Sequence, residues 1–137
     1  EWDGLAAQPT GTTADLHGVW GTDANNVWAV GDRGTVLKWN GTTWAAQSVG
    51  MTNISLNSVW GADANNVWAV GSPGIIVKWD GTAWAAQPTG TTNELSSVWG
   101  ADASNVWAVG DHGTVLKWDG TAWNGPNSLT TNNLRAV

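Results

Sequence analysis

Four tryptophans recur at one fixed spacing three times along this chain, and few folds accommodate that. They are Trp20, Trp28, Trp39 and Trp44; then Trp60, Trp68, Trp79 and Trp84; then Trp99, Trp107, Trp118 and Trp123. The steps within each copy are 8, 11 and 5 residues. Trp20 and Trp60 lie 40 residues apart, and Trp60 and Trp99 lie 39 apart. Repeats of this length belong to propellers and solenoids.

Each copy reads as four short strands. In the third copy the first strand is Leu95 to Gly100, followed by a turn over Ala101-Asp102-Ala103-Ser104-Asn105. The second strand, Val106 to Gly110, alternates, with Val106 and Ala108 on one face and Trp107 and Val109 on the other. Asp111-His112-Gly113 is a turn in which glycine takes positive φ. Thr114 to Trp118 is a third strand rich in β-branched residues. Asp119-Gly120, like Asn40-Gly41, signals a hairpin. The fourth strand runs from Thr121 to about Pro126. No segment has a sustained 3.6-residue apolar period. Four strands in about 40 residues is one propeller blade. Both faces of a blade pack on neighbours, which accounts for apolar residues on both sides of one strand. The expected fold is therefore all-β, a propeller of four-stranded blades.

The copies span residues 17–56, 57–95 and 96–132. Residues 1–16 read as the tail of a preceding blade, because Ala6 to Thr13 repeats Ala85 to Thr92. Within this tail, Leu5 to Gly11 stands for an outermost strand. Residues 133–137 match Glu94-Leu95-Ser96-Ser97-Val98 and begin a further blade as its first strand.

The recurring Val-Trp-Ala-Val-Gly, and the block Gly113-Thr114-Val115-Leu116-Lys117-Trp118-Asp119-Gly120-Thr121-Ala122-Trp123, resemble the tryptophan-rich repeats of bacterial β-propellers. Asp32-Arg33-Gly34-Thr35 and Asp111-His112-Gly113-Thr114 resemble the Asp-box turn of BNR-type and YCF48-like propellers. The middle copy departs from that turn with Ser72-Pro73-Gly74-Ile75. The resemblance implies the fold. It implies no particular activity, since propellers host many functions. It also implies a bacterial source and, for such repeats, an extracellular or periplasmic setting.

Three blades do not close a ring, since propellers use about four to eight. An open stack leaves apolar faces and strand edges in water. A head-to-tail homodimer, completing a ring of six to eight blades, resolves this.

Charge narrows the partners. The net charge is −6, and the five basic residues are scattered. Nucleic acid, which needs clustered Lys and Arg, is excluded as a partner, and so is an anionic membrane surface. No run approaches the ~18 apolar residues of a membrane span. The start, Glu1-Trp2-Asp3-Gly4, is acidic and has no apolar core, so no signal peptide is expected there. With no cysteine, disulfides and cysteine metal sites do not arise. No metal or other cofactor is expected.

The tryptophans are the first candidates for ligand contact. An indole between blades is ordinarily core, since it buries roughly 150–250 Å². An exposed one offers a stacking platform for a sugar. Trp44, Trp84 and Trp123 begin the outer strands beside turns and are the first choices for exposure. Trp20, Trp60 and Trp99, near the inner end of each blade, are the second. The inner turns place Asn26, Asn66 and Asn105 on one rim beside Asp23, Asp63 and Asp102. Their amides are candidates for sugar hydroxyls. Their ordinary role is to brace Asx turns.

No catalytic constellation stands out. Glycoside hydrolysis needs two carboxyls across one bond, and Asp32 and Asp111 read as turn braces. His17 and His112 lack a nucleophile context. Lys38, Lys78 and Lys117 recur beside tryptophans and read as cation–π or snorkelling contacts. The expectation is a non-catalytic repeat binding module. Glycans are its leading ligand class; the alternative is a self-assembling structural or protein-interaction scaffold, such as an engineered propeller fragment or one cut from a longer array.

Overall fold

A computed structural model describes residues 8–128 and 130–137. Of the expected tail of a preceding blade, residues 1–7 lie outside the described residues, and residues 8–15 form no strand, so the described part of the expected outermost strand is not one. Three four-stranded antiparallel sheets follow one another, each with its strands in chain order. Blade 1 holds β1 (Leu16–Asp23), β2 (Asn26–Gly31), β3 (Val36–Trp39) and β4 (Trp44–Gln47). Blade 2 holds β5 (Ser55–Asp63), β6 (Asn66–Ser72), β7 (Ile75–Trp79) and β8 (Trp84–Gln87). Blade 3 holds β9 (Leu95–Asp102), β10 (Asn105–Gly110), β11 (Val115–Trp118) and β12 (Trp123–Asn127).

Strand limits differ from the expectations in instructive ways. The inner strands start at Leu16, Ser55 and Leu95, one or two residues ahead of the repeat limits set by tryptophan spacing. Leu56 and Leu95 are fully buried and pair with Gly71 and Gly110; in blade 2 the ladder begins one pair earlier, with Ser55 opposite Ser72. The inner turn narrows to two residues, because Asp102 pairs with Asn105 across it. The outer strand starts at Trp123 rather than Thr121. Asp119 Oδ1 accepts the backbone N–H groups of Thr121 and Ala122, both at 2.9 Å, and holds them in the turn.

Alternation along the strands decides what each face packs on. Trp28 and Lys38, and Val30 and Val36, are cross-strand pairs on the face of blade 1 toward blade 2. Val67, Ala69 and Val77 of blade 2 meet that face in one apolar layer. On its other side, blade 2 presents Trp68, Val70 and Ile76 to Val106, Ala108 and Leu116 of blade 3. The middle sheet is thus buried on both faces, as a propeller blade must be.

Glycine closes the second strand because the inner strand runs so close. A Cβ on Gly31, Gly71 or Gly110 would collide with the carbonyl oxygen of Asp15, Ser55 or Glu94. This gives the last residue of Val-Trp-Ala-Val-Gly a steric role, since Gly31 and Gly110 have extended backbones that any residue adopts.

Residues 133–137 form no strand, but they lie where one would begin. Leu134 donates its N–H to Gly110 O at 2.9 Å, and Val137 donates to Ser97 Oγ at 3.2 Å. The second bond repeats that of Val98 N–H to Ser58 Oγ, at 3.3 Å, where blade 3 meets blade 2. Among the described residues no further strand pairs with this segment.

Candidate functional site

The three inner turns are built alike. Asp23 Oδ1 accepts the N–H of Asn25 at 2.8 Å, and both its oxygens accept the Asn26 amide. Asp63 with Asn65 and Asn66, and Asp102 with Ser104 and Asn105, repeat these bonds. The backbone N–H of Asn25 and then the Asn26 amide hold the Asp23 carboxyl below its ordinary range; Ser104 and Asn105 do the same for Asp102. The free oxygens of Asn66 and Asn105 receive Lys78 and Lys117 Nζ at 3.1 and 3.3 Å. The indoles of Trp39, Trp79 and Trp118 donate to Ala24, Ala64 and Ala103 O at 3.0–3.2 Å. The amides considered for sugar hydroxyls are therefore already engaged in their own turns.

The outer-strand tryptophans do not share one exposure. Trp84 is only 8% exposed. It meets Trp28 edge-on at 5.2 Å, and Trp79 lies 5.1 Å from the same ring. This corrects the expectation that its place beside a turn leaves it open, because blade 1 covers it. Trp123 is half-buried against the layer between blades 2 and 3. Trp44 is half-buried too, but on a face that no described blade covers. There it lines an apolar hollow with Leu16, Gly18, Val19 and Ala29.

The inner-strand tryptophans form a ladder. Trp20 and Trp60 lie 6.4 Å apart, and Trp60 stacks on Trp68 at 6.0 Å. Both are half-buried, whereas Trp99 is 48% exposed. Trp20 lies over Gly61 and Trp60 over Gly100. The sequence carries the signal for this seat, a Trp-Gly pair in every copy, yet the pair only acquires meaning once the next blade is in place.

The Asp-box-like turns are 3₁₀ turns with Arg33 and His112 at φ 57° and 56°. Asp32 does more than brace its turn. Its Oδ1 meets His17 Nε2 of β1 at 2.8 Å and accepts Ser55 Oγ of β5 at 3.0 Å, tying blade 1 to blade 2. Those two hydrogen bonds, His17 first, hold its carboxyl below the usual range. Asp111 accepts Thr114 Oγ through its backbone oxygen at 2.6 Å. Lys38, Lys78 and Lys117 sit 5.2–5.5 Å over Trp28, Trp68 and Trp107. These are cation–π contacts inside each blade. Among the described residues, no three His, Asp or Glu side chains gather as metal ligands would. No described helix is long and apolar enough to cross a membrane.

No family model matches this chain, and no curated protein matches it. Solved structures do. "YCF48 bound to D1 peptide" is 22% identical with a TM-score of 0.70, covering 85% of this chain and 41% of that one. YCF48 from Cyanidioschyzon merolae is 19% identical with a TM-score of 0.72, covering 88% and 43%. The chain thus spans about two-fifths of the length of each. Likeness at this identity speaks to the fold alone: the three sheets are blades of a β-propeller.

Proposed function

We propose that this chain is a non-catalytic protein-interaction module, an arc of three propeller blades that works within a ring. One observation carries the reading. The indoles and amides that a sugar would use are largely taken up in blade-to-blade packing and in their own turns. The similar YCF48 structure bound to D1 peptide supports a peptide or protein as the ligand class.

A carbohydrate-binding, lectin-like role is the second reading, favoured by the exposed indole of Trp99 and the open position of Trp44. Labelled protein on a peptide array and on a glycan array separates the two. Peptide binding with blank glycans is the expected outcome. Glycan binding that Trp99→Ala or Trp44→Ala removes would replace the first reading with the second.

A further inference from the structure

Each blade joins its third and fourth strands by a short exposed link. It is Asn40-Gly41-Thr42-Thr43 in blade 1, Asp80-Gly81-Thr82-Ala83 in blade 2 and Asp119-Gly120-Thr121-Ala122 in blade 3. The link is exposed in blade 2 as well, which is packed on both faces, so its exposure belongs to the rim and not to either end of the chain. The geometry is the same throughout. Asn40 Oδ1 accepts the backbone N–H groups of Thr42 and Thr43 at 2.9 and 3.0 Å, and Asp80 and Asp119 accept theirs at 2.8–2.9 Å. The three glycines hold φ of 99°, 100° and 102°. The chemistry differs at the first residue. The backbone N–H groups of Ala83 and Ala122 hold the Asp80 and Asp119 carboxyls below their ordinary range, and an ionised carboxylate resists attack by a backbone nitrogen. The Asn40 amide is uncharged and has a nitrogen to release.

We propose that Asn40 is a site of spontaneous deamidation through a cyclic imide with Gly41. The Gly41 nitrogen attacks Asn40 Cγ and gives up its proton. The Cγ–Nδ2 bond breaks, and Nδ2 leaves as ammonia with that proton. Water then opens the imide ring. Addition at Cγ yields aspartate, and addition at the main-chain carbonyl carbon yields isoaspartate, with the chain routed through Cγ. The turn favours the first step. The bond from Thr42 N–H to Oδ1 closes a ring that contains both Cγ and the Gly41 nitrogen, so it folds the side chain back toward its attacker. The two N–H groups on Oδ1 meet the oxygen on which negative charge grows. Gly41 has no Cβ to block the approach. Among the described residues no hydrogen bond holds its N–H or Asn40 Nδ2.

A second Asn-Gly pair, Asn124-Gly125, is equally exposed but lies in β12. Asn124 pairs with Lys117 in the ladder, and its Nδ2 donates to Asp119 Oδ2 at 3.0 Å. The ladder fixes its backbone, and the Asp119 bond ties the nitrogen that would leave. The products at position 40 differ in effect. Aspartate keeps the turn, since blades 2 and 3 are built on it. Isoaspartate adds a carbon to the main chain beside the Trp39–Trp44 pair and loosens that hairpin.

The test incubates the purified chain at mildly alkaline pH, folded and in urea. Tryptic peptides are then read by mass spectrometry with electron-transfer fragmentation, which separates aspartate from isoaspartate. Asn40 and Asn124 fall in different peptides, after Lys38 and Lys117. In the folded chain Asn40 should convert at least roughly tenfold faster than Asn124, which must first open from its ladder. In urea the two should convert at similar rates. An Asn40 that stays an amide in the folded chain, or an Asn124 that converts as fast, would overturn the proposal. A difference that persists in urea would do the same, because it would belong to the local sequence and not to the turn.

Discussion

The ring of Trp20 lies over Gly61 so closely that a Cβ there would stand 2.6 Å from Cζ3 and 2.7 Å from Cη2. Trp60 covers Gly100 in the same way, with both ring atoms 2.7 Å from where a Cβ would be. Gly61 and Gly100 are thus the floors for the inner tryptophans of the preceding blades. Gly61→Val should overpack this seat and the neighbouring Val67. A loss of about 1–3 kcal/mol is expected, the usual effect of inserting methyl groups into a packed layer. Urea unfolding measures it, and a neutral result would show that the two blades slide freely there.

Acid should destabilise this protein only once its lowered carboxyls take up protons. Asp23, Asp32, Asp80, Asp102 and Asp119 all have carboxyls lowered from the ordinary 3.8, in each case first by a hydrogen bond from a turn or a neighbour. A carboxyl lowered in the folded state stabilises it above the unfolded value, and the gain is lost as pH falls through the folded value. Thermal melts should therefore show little carboxylate-dependent change from about pH 7 to about pH 5 and a progressive fall below about pH 4. Asp119→Asn, which removes the charge received by Thr121, Ala122 and Asn124, should lower the melting temperature at pH 7 and flatten this fall.

Lys78 is half-buried, 5.2 Å over the ring of buried Trp68 and 3.1 Å from Asn66 Oδ1. Lys78→Met keeps the stem and removes the charge. A loss of about 0.5–2 kcal/mol is expected from the cation–π contact. A double-mutant cycle with Trp68→Leu checks it: the Lys78→Met penalty should shrink once the indole is gone.

Much of this was legible in the sequence, for a physical reason. Fixed tryptophan spacing, alternation in Val-Trp-Ala-Val-Gly and Asp-Gly turns each specify local structure, and the repeat states them three times. Strand order and the two faces of β10 followed from these. Exposure was less legible. Trp44 and Trp84 occupy the same position in their copies, yet one is open and one is covered. That difference depends on which described blade packs against them, which no local pattern encodes. The tie from Asp32 to Ser55 was hidden for the same reason, because it joins residues from different blades.

The same contrast gives the most direct test of the claim that these indoles belong to blade–blade packing. Unfolding free energies of Trp84→Ala and Trp44→Ala should be compared. Trp84→Ala should lose about 3–5 kcal/mol, as truncated core aromatics do, and Trp44→Ala less than half of that. Equal losses, or a Trp84→Ala chain that folds normally but no longer binds glycan, would contradict the account.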